Sequence, residues 1–165
     1  MSIKRIGKHL IEHRWRARRI FTKGVLARIE RAIRAAEATH SGQVRFVVEG
    51  ALDGAPLFRN QAARHRALDV FSHLRIWDTE HNNGVLIYLL LADRDVEIIA
   101  DRGIDRLVDA REWRAICAGM EAAFGKSRYA DGAAQGIGEI SALLARYFPR
   151  TTESANELPD KPVVL

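Results

Sequence analysis

The sequence predicts an α/β domain in which a small central mixed sheet, containing one antiparallel hairpin, is sandwiched by α-helices. Three observations predict it. Val44-Arg45-Phe46-Val47-Val48 is a β-branched run bounded by Gly42 and Gly50, which reads as a buried strand. Two further apolar runs, residues 85–91 and 96–100, are separated by only four residues, too few for a crossover helix, so they pair antiparallel. Patterns with helical spacing lie before, between and after these runs, and alternation of this kind makes helices packed on a sheet.

Residues 10–21 hold no wide apolar stripe, so a helix there is marginal or interfacial. Thr22 reads as the N-cap of a better helix, with Val25, Ile29, Ala32, Ile33 and Ala36 recurring on one face to about Thr39. His40-Ser41-Gly42 ends it, and the glycine is expected to supply a left-handed stop. After the first strand, residues 51–56 form a loop, and residues 58–75 are helical with Ala67 or Leu68, Phe71 and Leu74 inward. A polar connection, residues 77–83, leads into the hairpin. Asp109-Ala110-Arg111-Glu112 has the form of a capping box. The helix it opens buries Trp113, Ile116, Met120 and Phe124 and stops near Gly125. A last helix starts at Tyr129 or Asp131, carries Ile137, Ile140 and Leu144, and is closed by Pro149. The organisation is therefore a basic arm or helix over residues 1–21, a domain over 22–149 and a tail over 150–165 whose last three residues can dock on the body.

At 165 residues and 47% hydrophobic, the chain has enough apolar surface for one real core. A single cysteine, Cys117, excludes an internal disulfide framework and a cysteine-based zinc site. No long apolar segment follows the first basic residues, and no run approaches the roughly 20 residues needed to cross a bilayer. A soluble, cytoplasmic protein, peripheral to a membrane at most, is the expectation. The net charge of +5 conceals an imbalance. Residues 1–34 carry eleven Lys or Arg against two acids, and the rest fifteen against nineteen, so a +9 arm precedes a −4 body. Such an arm suits an anionic membrane surface or an acidic partner. Nucleic acid is the weaker reading, because few aromatics interleave with the basic residues to stack on bases.

Asp93-Arg94-Asp95 after a buried strand invites comparison with phosphatases that use an aspartate nucleophile in an Asp-x-Asp motif. The strand that follows at once leaves no room for the turn and crossover helix which that chemistry requires, so the acids read as the polar turn of a hairpin. Cys117 has no arginine six residues on, and no glycine-rich phosphate loop, nucleophile elbow or His-Glu-x-x-His is present, so the catalytic residues are unknown. Acids do gather at segment junctions, at Asp93, Asp95, Asp101, Asp105, Asp109 and Asp131. Convergent carboxylates and carbonyls suit a hard cation such as Ca²⁺. Helix N-termini favour acids for their own reasons, which is sufficient for Asp109 and Asp131.

Asn82-Asn83-Gly84-Val85-Leu86-Ile87, followed by Ala92-Asp93-Arg94-Asp95-Val96, resembles the TPM domain signature, in which "DNGVLL" leads through a strand to "DDR" and a second strand. Thr39 to Val44 resembles the "TGAEI" opening of that family, Asp109-Ala110 its "DA" helix start, and residues 127–132 its "GDYDKGI" element. The resemblance covers about Val25 to Phe148. It implies the α/β sandwich, a divalent-ion site, often calcium, near these loops, and weak phosphatase activity in some members. Others serve membrane-complex maintenance, and many are exported or anchored. Two departures stand out: Asn82 replaces the usual Asp, and Gln43 the usual Glu, so a cation here meets fewer charges and binds more weakly. The candidate metal ligands are Asp93, Asp101 and Asp109, with Asn82 as a carbonyl donor. The leading expectation is a divalent-cation-modulated interaction or accessory module with an unknown protein partner. A weak metal-dependent phosphomonoesterase is the alternative, and nucleic-acid binding through the arm comes third.

Overall fold

The computed structural model describes residues 14–52, 61–152 and 154–165. Its elements are α1 (Arg14–Ile20), α2 (Lys23–Glu37), β1 (Gln43–Glu49), α3 (Ala63–His73), β2 (Gly84–Leu90), β3 (Asp95–Ala100), α4 (Arg102–Asp105), α5 (Ala110–Gly125), α6 (Tyr129–Tyr147) and β4 (Val163–Val164). The strand order is β3-β2-β1-β4. β1 and β2 are parallel, with Gln43 opposite Gly84 and Glu49 opposite Leu90. β2 and β3 form the expected antiparallel hairpin, with Val85 opposite Ala100 and Leu90 opposite Asp95.

Both faces of the sheet are covered, which is why β1 and β2 are buried along their whole length and β2 reads as a continuous apolar run. Alternation sorts the side chains. Val44, Phe46, Val48, Val85, Ile87 and Leu89 face the layer of α2, α5 and α6. Val47, Leu86, Tyr88, Leu90 and Ile99 face α3 and the end of the C-terminal segment. Each fully buried Ile or Leu contributes roughly 1.5–3 kcal/mol by leaving water, so these two clusters supply the main driving force of folding.

Thr22 caps α2 as expected, its hydroxyl accepting the Val25 N–H at 3.4 Å. The stop is different from the expected one. α2 ends at Glu37 with Ala38 as an ordinary right-handed C-cap. Gly42 is there because a Cβ would overlap the Leu144 side chain of α6. Asp109 caps α5, but its carboxylate accepts the Arg111 N–H at 2.8 Å rather than that of Glu112, so the reciprocal box is not what holds this end. The expected helix over 58–75 is seen as Ala63–His73, and its first residues, like the loop at 53–56, lie outside the described residues.

The two termini are more integrated than their composition suggests. Residues 1–13 lie outside the described residues, but Ala17 and Phe21 of the basic arm are fully buried in the main core. Arg16, Arg18 and Arg19 remain exposed on the other side of α1. At the other terminus, Val163 and Val164 extend the sheet in parallel beside Val47 and Val48. The Leu165 N–H donates to the Val48 carbonyl at 2.9 Å, and Leu158, Val163 and Leu165 pack on the α3-side cluster. The tail therefore docks, as a fourth strand.

Candidate functional site

The amino ends of β1 and β2 meet the carboxyl end of β3 at one corner of the sheet, stitched by main-chain bonds. Asp101 N–H donates to the Gly84 carbonyl at 2.8 Å, Gln43 N–H to the Asn83 carbonyl at 3.3 Å, and Gly103 N–H to the Asn82 carbonyl at 2.9 Å. A Cβ on Gly103 would meet the carbonyl oxygens of His81 and Asn82, so only glycine lets α4 start against these two oxygens. Asn82 itself turns the chain through the left-handed region at φ 51°, which asparagine tolerates.

Polar atoms are left without partners here. Asn83 is fully buried; its main chain is satisfied by the Thr79 hydroxyl and Gln43, yet neither its Oδ1 nor its Nδ2 has a hydrogen-bond partner among the described residues. Asp101 uses Oδ1 to cap α4 through the Arg102 N–H at 2.7 Å, while its buried Oδ2 has no partner among the described residues. His40, buried just before β1, holds Nδ1 3.0 Å from the Gly42 carbonyl and leaves Nε2 without one. Burial pushes the His40 imidazole down to about 4, so at neutral pH Nε2 carries a lone pair. Unpartnered buried polar atoms are uncommon because each costs on the order of 1–3 kcal/mol. Asn83 and Asp101 share this sheet corner, His40 lies just before β1, and Trp113 Nε1 in α5 is the other such atom among the described residues.

Of the four expected ligands, the fold brings two to this corner, Asn82 and Asp101. Asn82 Oδ1 accepts from Arg102 Nε at 3.1 Å. Asp109 begins α5 on the surface, gripped by Arg111 through both oxygens, and that guanidinium holds its carboxyl below the usual range. Asp93 lies at the far end of the hairpin, in the β2–β3 turn, where Asp93 and Asp95 are half-buried and already engaged. Among the described residues no group of three or more His, Cys, Asp or Glu is arranged to hold a metal ion. Gln43 explains itself differently from a weakened ligand. Its Oε1 accepts the Glu157 and Leu158 amides at 2.9 Å each, and its Nε2 faces the Ser41 and Ala155 carbonyls at 3.4 Å. It fastens the C-terminal segment to the corner.

Sequence reading missed Asn83 and His40, because neither residue type nor spacing signals that a side chain is buried without a partner. It also missed the closed network at the opposite end of β1. There Tyr88 OH donates to Glu49 at 2.6 Å, and Arg66 donates two bonds to the same carboxylate at 2.9 and 3.0 Å. Cys117 offers no nucleophile, since burial pushes its thiol up to about 12.

The family model of the TPM domain matches residues 17–143. The NMR structure of BA42 protein from the psychrophilic bacterium Bizionia argentinensis is similar at 30% identity and a TM-score of 0.76, over 86% of this chain and 93% of that one. The N-terminal domain of a protein from P. gingivalis shares the fold at 21% identity and a TM-score of 0.58, over 74% of this chain and 75% of that one. No curated protein matches the chain. No helix among the described residues is long and apolar enough to cross a membrane.

Proposed function

The chain belongs to the TPM domain family, and on that premise we propose that it is an accessory interaction module whose Asn83–Asp101 corner takes a divalent cation, calcium being the best match. The observation that carries the reading is the pair of buried, unpartnered oxygens, Asn83 Oδ1 and Asp101 Oδ2, at one end of the β2–β3 hairpin. An all-oxygen set of carboxylate, amide and backbone carbonyl is what a hard cation prefers. One carboxylate supplies little charge, which fits a low-affinity site with a Kd of roughly 10⁻⁴–10⁻³ M. Asp109 and Asp93 stand outside this set, since one is held by Arg111 and the other lies at the far end of the hairpin. Phosphomonoester hydrolysis is the second reading, and it needs further acids around the ion to position water. The exposed Arg16, Arg18 and Arg19 of α1 give the module a basic face suited to an anionic surface.

The test is thermal unfolding of the full chain in calcium against EDTA. At a calcium concentration of about ten times Kd, ligand linkage gives about 1.4 kcal/mol, a rise of roughly 3–6 °C for a chain of this size. Asp101→Asn should abolish that rise while leaving the EDTA midpoint nearly unchanged, since Asn caps a helix as well as Asp. A folded wild-type protein that ignores millimolar calcium would overturn the cation reading.

A further inference from the structure

A second candidate site lies at the opposite end of the parallel strands, on the α5–α6 side of the sheet, beside the hairpin turn that carries Asp93. A cavity of about 160 Å³ opens there, beyond the carboxyl end of β2. Crevices outside the carboxyl ends of parallel strands are where open α/β sheets take their ligands. Its apolar wall is Leu89, Leu91 and Ile20, and its aromatic wall is Phe124 with Tyr129, whose rings stack at 5.5 Å and 21°. Phe21 braces Tyr129 edge-on at 5.4 Å, so the aromatic pair is held in place before any ligand arrives.

The polar groups around this cavity are unequal. Arg16 lines it but is already engaged, and Glu121 accepts the Val96 N–H at 3.1 Å. Arg94 is different. It sits in the hairpin turn with φ 56°, its side chain is exposed, and its guanidinium makes no hydrogen bond or ion pair among the described residues. A bulky side chain in the left-handed region is uncommon, and this turn uses it to set a cation beside a pocket with both apolar and polar walls. A cavity of this volume has room for about one benzene ring.

We propose that this cavity binds a small aromatic carboxylate, its ring against Phe124 and Tyr129 and its carboxylate paired with Arg94. The site is independent of the cation corner, at the other end of the sheet, and the failure of one leaves the other untouched.

The experiment is an amide-resolved NMR titration of the full chain with phenylacetate, with 2-phenylethanol as the neutral counterpart. Phenylacetate at about 10 mM, ten times a millimolar Kd, is expected to shift the amides of residues 89–94 and 125–129 saturably. 2-Phenylethanol, and phenylacetate with Arg94→Gln, should each bind about tenfold more weakly, the loss of one charge-assisted contact. Arg94 is on the surface, so that variant remains folded, and its unshifted spectrum elsewhere verifies this. Equal affinity for acid and alcohol, an unaffected Arg94→Gln variant, or no saturable shift would each overturn the proposal.

Discussion

The two ends of the same central strands bury polar groups in opposite ways. At the carboxyl end of β1, on the α3 side, Glu49 is matched by Tyr88 and by both nitrogens of the Arg66 fork. Both oxygens of the Glu49 carboxylate have partners inside the protein, so the trio holds α3 to the sheet. At the amino end, Asn83, Asp101 and His40 each keep a buried polar atom without a partner among the described residues. A closed network is a structural device, and an open one is where binding energy from outside can be gained. Burial of polarity is therefore no guide to function by itself; what distinguishes the two ends is whether the hydrogen-bond accounting closes.

The largest expected effect tests the closed end. Arg66→Ala leaves the Glu49 carboxylate buried with only the Tyr88 hydroxyl, and an uncompensated buried charge costs about 3 kcal/mol even where the cation was partly solvated. The midpoint of thermal unfolding should fall by roughly 6–12 °C. Asp101→Asn at the open end, measured in EDTA, should change it by about a tenth of that, because the replaced oxygen had no partner to lose. Comparable losses from the two variants would erase the distinction between the ends.

The next effect belongs to the amino end alone and is read from pH. Burial holds the Glu37 carboxyl up at about 8, with the nearby Asp160 adding to the rise, although the Val44 N–H bonded to it at 2.8 Å pulls the other way. The folded state keeps that proton between about 4.5 and 8 while the unfolded chain has released it, so stability falls as pH rises through this window and levels off above it. His40 acts with the opposite sign. Its folded value is depressed to about 4 from 6.5, so charging the unfolded chain costs stability at low pH, and stability rises from about 4 to 6.5. The two offset one another where they overlap. Denaturant unfolding should therefore show little change from about pH 4.5 to 6.5 and then a decline to about pH 8, at no more than roughly 1.4 kcal/mol per unit. Glu37→Gln should remove the decline and keep the rise. A decline that persists in that variant would place its origin elsewhere.

What the sequence made legible follows from the range over which each feature is encoded. The hairpin is local: two apolar runs four residues apart can do little else, and β2 and β3 fall within a residue of the expected bounds. The Thr22 cap and the Trp113, Ile116, Met120, Phe124 stripe are local too. Gly42 reads as local punctuation, but its reason is Leu144, about a hundred residues away. The corner is harder still. That Asn82 and Asp101 meet, that Asp93 does not join them, and that Asn83 is left unpartnered all depend on which strand ends adjoin across the sheet. Spacing alone carries no information on that. The tail gave the weakest signal, since two valines and a leucine after prolines do not announce a parallel edge strand.

The smallest effect asks whether the open end was once a fuller cation site. Gln43 and Asn82 stand where relatives are expected to carry Glu and Asp, and both are put to other uses, one fastening the Glu157 and Leu158 amides and the other receiving Arg102. Gln43→Glu can go on accepting those two amides, but in this buried position its second oxygen then faces the Ser41 and Ala155 carbonyls that Nε2 meets at 3.4 Å. Asn82→Asp turns the Arg102 contact into a charge-assisted one. The double variant should therefore unfold below the wild type in EDTA, and its calcium response is measured against its own EDTA midpoint. With two added carboxylates at this end of the sheet, its calcium response should exceed the wild-type response by about 1 kcal/mol, some 2–4 °C. Adding Asp101→Asn should cancel most of the gain, which ties the new charge to that oxygen rather than to the surface at large. A double variant no more responsive to calcium than the wild type would mean that the unpartnered oxygens at this corner serve something other than a cation, and the contrast between the two ends would then rest on a polar ligand of another kind.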